Sequence, residues 1–119
     1  MGDSYLLGKR GEDAAAKFLQ EIGYEIIGRN YRYMKAEIDL IARKGDTLAI
    51  VEVKTRTGTP LEKVLDAIHR RKIERLLQAA DHFIVSNQLQ VNARFDIIWI
   101  TRDRKGFKLD HIENAFYHF

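Results

Sequence analysis

The stretch Ala36–Thr55, AEIDLIARKGDTLAIVEVKT, decides the fold of this 119-residue chain. Ala36–Arg43 and Thr47–Thr55 are runs rich in aliphatic and β-branched residues and read as strands, separated by Lys44-Gly45-Asp46. Gly45-Asp46 suits a two-residue hairpin loop, because glycine accepts the positive φ that the first position of a type II′ turn requires. That loop sets a register. One face of the ribbon then carries the pairs Ile38–Val53, Leu40–Val51 and Ala42–Ala49, which are apolar and read as core. The other carries Ile41–Ile50, Asp39–Glu52 and Glu37–Lys54. Like charges directly opposite destabilise a sheet by up to ~1 kcal/mol. A run such as Leu48–Lys54 reads as buried on both faces, so its acid carries a desolvation cost unless something pairs with it. Magnesium held by one or two carboxylates, with waters completing its shell, is one such partner. Pairing of Lys54 with Glu52 or Glu37 on a solvated strand face is another, and the strands alone leave both open.

Outward from the hairpin, residues 4–22 place Leu7, Gly11, Ala14, Ala15, Phe18, Leu19 and Ile22 on one helical stripe, and Gly23 supplies a left-handed stop. Glu12 lies at the edge of that stripe, where it either points back at the sheet or serves as an ordinary first-turn acid favoured by the helix dipole. Tyr24–Ile27 and Asn30–Tyr33 read as two short extended pieces around Gly28. Downstream, residues 57–60 read as a turn, with Pro60 at a helix start. Leu61–Asn87 has helical periodicity with a break expected near Asp66–Arg70. Arg94–Thr101 reads as a buried strand, and Phe107–Ile112 as a last, weaker one. The expectation is an α/β domain over residues 1–119, a central mixed sheet flanked by helices.

Composition narrows the function classes. With 45% hydrophobic and 31% charged residues the chain is an ordinary globular protein. Zero cysteines exclude disulfide scaffolds, thiol catalysis and cysteine-held zinc or iron–sulfur clusters. No apolar run reaches membrane-span length and the start MGDSYLLGKRGED has no signal-like apolar segment, so a cytoplasmic location without membrane contact is expected. A net charge of +3 permits nucleic-acid binding without arguing for it. Basic residues cluster at Lys9-Arg10, Arg29–Lys35, Lys54–Arg56 and His69–Lys72. The four histidines show no metal-ligand spacing and read as surface or capping residues. No phosphate loop or nucleophile elbow occurs. Trp99 and the tail Phe116, Tyr117 and Phe119 read as core or dimer contacts.

An acid in the first helix, then Asp39, then Glu52-Val53-Lys54, resembles the site of the restriction-endonuclease-like, PD-(D/E)xK, nuclease superfamily. The sequence is most similar to the YraN-like uncharacterised bacterial family. Gly11-Glu12-Asp13-Ala14-Ala15 resembles that family's opening motif, Arg29-Asn30-Tyr31-Arg32 its Arg-Asn segment, and Glu37–Ile41 and Val51–Arg56 its two core strands. Lys72, Arg75-Leu76, Ala79-Ala80, Arg94-Phe95-Asp96 and Asn114-Ala115-Phe116 continue the match. Ala36 departs from it, standing where the family usually has glycine, which bears on the local strand bend and not on the acids.

The resemblance implies a restriction-endonuclease-like core and a metal-dependent phosphodiesterase or endonuclease acting on structured or single-stranded DNA in repair, recombination or processing. By the same resemblance Asp39 and Glu52 would ligate Mg2+ or Mn2+, with the Val53 carbonyl as an extra ligand. Lys54 would position or polarise the attacking water, and Glu12 would assist through a second metal or a water. Arg56, Arg71 and Lys72 would hold the phosphodiester backbone, although Lys72 reads equally as a solvated helix charge. Recognition of DNA, or of RNA, by shape rather than sequence is expected. So is either a homodimer through Ala115, Phe116, Tyr117 and Phe119 or packing of that tail on its own sheet. The rival readings are a non-catalytic nucleic-acid-binding module and an interaction subunit on the same fold.

Overall fold

The first helix, α1 (Gly2–Glu21), stops where Gly23 takes a φ of 100°. There the Tyr24 N–H reaches back to the Leu19 carbonyl at 2.9 Å, closing the left-handed cap expected of Gly23. In this computed structural model residues 2–57 and 70–115 are described, with side chains from residue 8 to 57 and from 71 to 115. Of the turn expected at 57–60, Thr57 instead ends the third strand, and 58–60 lie outside the described residues, as do the residues 61–69 expected to be helical and the tail residues Phe116, Tyr117 and Phe119.

Strands β1 (Glu25–Tyr33), β2 (Ala36–Lys44) and β3 (Thr47–Thr57) follow as an antiparallel meander. Helix α2 (Arg70–Ser86) crosses over to β4 (Asn92–Asp103), which runs parallel to β3, and β5 (Gly106–Ile112) returns antiparallel on β4. Parallel neighbours require such a crossover, because no tight turn can join them. The sheet order is β1-β2-β3-β4-β5. The expected mixed sheet flanked by helices is therefore present. Apolar side chains on one face pack with Ile73, Leu76, Ala79, Ala80 and Phe83 of α2. Those on the other pack with Ala15, Ala16 and Leu19 of α1.

The hairpin register holds from Lys44↔Thr47 to Leu40↔Val51, with Gly45 at φ 59° as its loop requires. It does not extend to the expected pairs Ile38–Val53, Asp39–Glu52 and Glu37–Lys54, which lie past the end of the ladder. The cause sits on β1. Asn30 takes a left-handed φ of 52°, which interrupts the side-chain alternation of a strand. Arg29 and the next residue Asn30 both reach the acids of α1, whereas Tyr31 packs on the α2 side. The partner strand follows. Leu40, opposite Arg29, belongs to the α1-side core, and Ile38, opposite Tyr31, to the α2-side core. Ile38 and Val53 thus occupy opposite faces, a correction to the alternation carried over from the hairpin. The two extended pieces expected around Gly28 are one strand with a register shift between Ile26 and Gly28. Trp99 is core, at 3% exposure.

Candidate active site

The slip in alternation places Asp39 between Ile38 on one face and Leu40 on the other. Its carboxylate turns toward β3, where Oδ2 accepts the Val53 N–H at 2.8 Å. A side chain thus satisfies the β3 donor just past the end of the β2 ladder. Glu52, one residue before Val53, is only 5% exposed, on the α2-facing side of the sheet. Its Oε1 lies 3.0 Å from Lys54 Nζ and 2.8 Å from Lys72 Nζ, one cation from its own strand and one from α2. The anticipated Glu52–Lys54 pair therefore forms. The Glu37–Lys54 pair does not, since Glu37 faces Arg32 at 3.4 Å.

Glu12 approaches from α1, where Gly11 makes the close approach possible. A Cβ at Gly11 would run into the Thr55 hydroxyl of β3. Glu12 Oε1 accepts hydrogen bonds from Asn30 Nδ2 at 2.9 Å and Arg29 Nη2 at 3.2 Å, so the left-handed Asn30 holds the third acid. Arg29 also bonds Asp13 at 2.6 Å. A cleft of about 740 Å³ opens beside Glu12 between α1 and β1, with Lys9, Arg29 and Arg32 among its cations.

Burial pushes the Asp39 carboxyl up to about 7, and the charge of Glu52 adds to it. The Val53 N–H opposes that rise, the Glu12 charge reinforces it and Lys54 opposes it. Asp39 thus registers all three neighbours named from the sequence. Burial alone would pull the Lys72 ammonium down, but the hydrogen bond and charge of Glu52 outweigh it and hold Lys72 above its ordinary value.

Glu52, Lys54 and Lys72 meet directly, Asp39 lies beside them on the Val53 N–H, and Glu12, from the α1 side, reaches Asp39 through its charge. Arg56 lies two residues beyond Lys54, exposed, with its guanidinium on the Thr55 carbonyl. Arg71 is exposed on α2 and makes no ion pair with the acids. Among the described residues no three acidic or histidine side chains form a ready-made cation cage. The donor set nevertheless suits a hard cation. Asp39 meets the protein through Oδ2 and Glu52 through Oε1, which leaves each carboxylate one oxygen without a hydrogen bond among the described residues. A divalent ion between them would offset the repulsion that raises Asp39.

The sequence did not reveal what holds Glu12 or how β5 is locked down. Asp96, fully buried, accepts Arg94 through two bonds of 2.8 and 2.7 Å, His111 Nε2 at 2.8 Å and the Asn114 N–H at 3.2 Å. Burial alone would raise Asp96, but the bonds from His111 and Arg94 and the Arg94 charge hold it below the ordinary carboxylate value. His111 is therefore neither a surface nor a capping residue. The signal was an acid inside the apolar run Phe95–Ile100 with an arginine two positions before it.

Residues 11–100 match the model of Uncharacterised protein family UPF0102. A UPF0102 protein of Flavobacterium psychrophilum is 47% identical over 113 residues, covering 95% of each chain. One of Christiangramia forsetii is 41% identical over the full length of both, and one of Bacteroides thetaiotaomicron is 43% identical over 98% of this chain and 97% of its own. The chain belongs to the uncharacterised protein family UPF0102, the YraN-like family of the restriction-endonuclease-like PD-(D/E)xK superfamily.

Proposed function

We propose that this chain is a Mg2+- or Mn2+-dependent phosphodiesterase that cuts DNA by shape, with branched or single-stranded DNA preferred over intact duplex. One observation carries the reading: Asp39 is pushed up to about 7 beside a second buried carboxylate, with two ammonium groups at the same point. Burying Asp39 beside a second carboxylate costs stability, which a divalent cation at the pair would offset, and strongly perturbed groups of this kind gather at functional sites. Asp39 and Glu52 would hold the metal, with the Val53 carbonyl as a further ligand. When bound, the ion would lower the pKa of a water and stabilise charge developing on a phosphate.

The protein's own groups divide the remaining work. Lys54, held by Glu52, presents an ammonium to the attacking water or the scissile phosphate, where a fixed positive charge favours the transition state. Lys72, now 2.8 Å from Glu52, would be placed to hold a phosphate oxygen if Glu52 served as a metal ligand. Glu12, oriented by Asn30 and Arg29, is available to a second ion or a water from the cleft side. Phosphate contacts of this kind position a strand without reading its sequence.

A second reading has its own support. Lys54 and Lys72 already satisfy Glu52, as they would in a nucleic-acid-binding module that does not cut. Incubating labelled single-stranded, branched and linear duplex DNA with the protein in Mg2+, Mn2+ or EDTA tests the first reading. Metal-dependent cleavage that is lost in Glu52→Gln and Lys54→Met supports it. Metal-independent binding without cleavage establishes the second reading instead.

A further inference from the structure

Beyond the acids, β4 runs on alongside the end of β3 into an exposed hairpin with β5. Arg56 pairs with Thr101, which pairs with Lys108, so both cations share the face that carries Glu52 and Lys54. Arg102 pairs with Phe107 on the opposite face. Arg104 and Lys105 form the turn, where the Asp103 carboxylate is occupied by the Lys105 N–H at 2.7 Å. Five exposed cations thus lie at the end of the sheet, and two of them, Arg102 and Arg104, line an open groove of about 560 Å³ together with Thr57, Thr101 and Asp103.

Phe107 stands in the middle of them at 58% exposure. The Arg102 guanidinium lies 6.0 Å from its ring centroid. A large apolar ring at a solvent-facing tip, flanked by arginine and lysine, has the composition of a stacking platform for a base. Only an unpaired base has a free face to offer. Arg56 is about 13 Å along β3 from Glu52, so a strand stacked on Phe107 that passes round the tip of the sheet meets Arg56 and Lys108 on the face that leads to the acids.

We propose that the β4–β5 hairpin is a single-strand-binding arm. In this assignment Phe107 stacks one unpaired base, and Arg56, Arg102, Arg104, Lys105 and Lys108 hold the phosphates that lead from it to the site. The assignment rests on nucleic acid being the substrate. It adds that single-stranded character is selected here, at a distance from the acids.

The test is fluorescence anisotropy of a labelled oligothymidylate and of a matched duplex, both in EDTA so that no cutting occurs. It compares the full chain with Phe107→Ala, Phe107→Trp and the triple variant Arg102→Gln/Arg104→Gln/Lys105→Gln. Circular dichroism confirms folding, which these surface changes should leave intact. Phe107→Ala should weaken oligothymidylate binding about tenfold and leave the duplex unaffected, with Phe107→Trp restoring it. The triple variant should lower the log–log salt slope by about 0.7 per cation removed. If the wild type binds oligothymidylate and every variant binds it equally, the arm is overturned and the nucleic-acid reading stands. Absence of binding by the wild type overturns both. The arm is also overturned if Phe107 is needed for phosphatidylserine vesicles and not for the oligonucleotide. Arm-dependent binding in a protein that never cuts leaves the arm standing and removes the catalytic reading.

Discussion

Replacing Asp39 by Asn should stabilise the metal-free protein, and the gain should grow with pH. Asparagine keeps an oxygen for the Val53 N–H while losing the charge that faces Glu52. The Asp39 carboxyl titrates at about 7 in the folded chain, against an ordinary value of 3.8. A carboxyl raised by folding binds its proton more tightly in the native state. Its contribution is therefore fully present below the unfolded value and is lost as the pH rises through the folded one. The wild type should lose roughly 2.5 kcal/mol from this group between about pH 5 and about pH 8.5, a loss that the Asp39→Asn variant cannot share. Urea unfolding of both proteins across that range in EDTA measures the gap directly, since all other titrating groups are common to the two. The wild type should fall away from the variant as the pH rises, and Mg2+ or Mn2+ should close part of the gap. Parallel curves would show that burial and the Glu52 charge do not raise Asp39, and the site's electrostatics would have to be redrawn.

Other consequences are equally specific. Gly11→Ala should cost about 1–3 kcal/mol in thermal or urea unfolding, because the new methyl meets Thr55, and it should weaken metal affinity by displacing Glu12. Unchanged stability would mean that α1 can shift freely. Arg94→Met leaves the fully buried Asp96 without its main cation and should cost about 3–5 kcal/mol. The Asp96 carboxyl is lowered in the fold, so its stabilisation is present above the ordinary carboxylate range and is lost as the pH falls through it. The acid limb of the wild-type stability curve should flatten in Asp96→Asn. Lys72→Ala should reduce the salt slope of DNA binding by about one unit if Lys72 turns from Glu52 to a phosphate, and an unchanged slope would leave it a structural partner of Glu52.

The hairpin Ala36–Thr55 was legible because three local rules agree there: aliphatic strands, a glycine loop and a fixed register. The same rules reach the acids and stop one step short. Alternation assumes an undisturbed ladder, and Asn30, on a different strand, breaks it through a positive φ that residue type alone does not announce. Asp39 and Glu52 were singled out as residues, but the Val53 N–H that holds Asp39 against the strand carrying Glu52 was not. Lys72 was read as a phosphate-holding residue or a solvated helix charge, and its ion pair with Glu52 was not legible, since α2 must be packed on the sheet before the two meet. The hairpin arm escaped notice for a related reason. Arg102, Arg104, Lys105 and Lys108 look like scattered solvated charge until β4–β5 pairing gathers them around Phe107 and parallel pairing brings Arg56 alongside.

Whether Asp39 and Glu52 jointly hold a divalent ion can be measured without any substrate. Isothermal titration of Mn2+ into the metal-free protein should give saturable binding, about tenfold tighter near pH 8 than near pH 6, because Asp39 must lose its proton first. Binding should be lost in both Asp39→Asn and Glu52→Gln while each variant stays folded. No binding by the wild type, or binding that survives in either variant, would contradict the metal site on which the proposed phosphodiesterase depends.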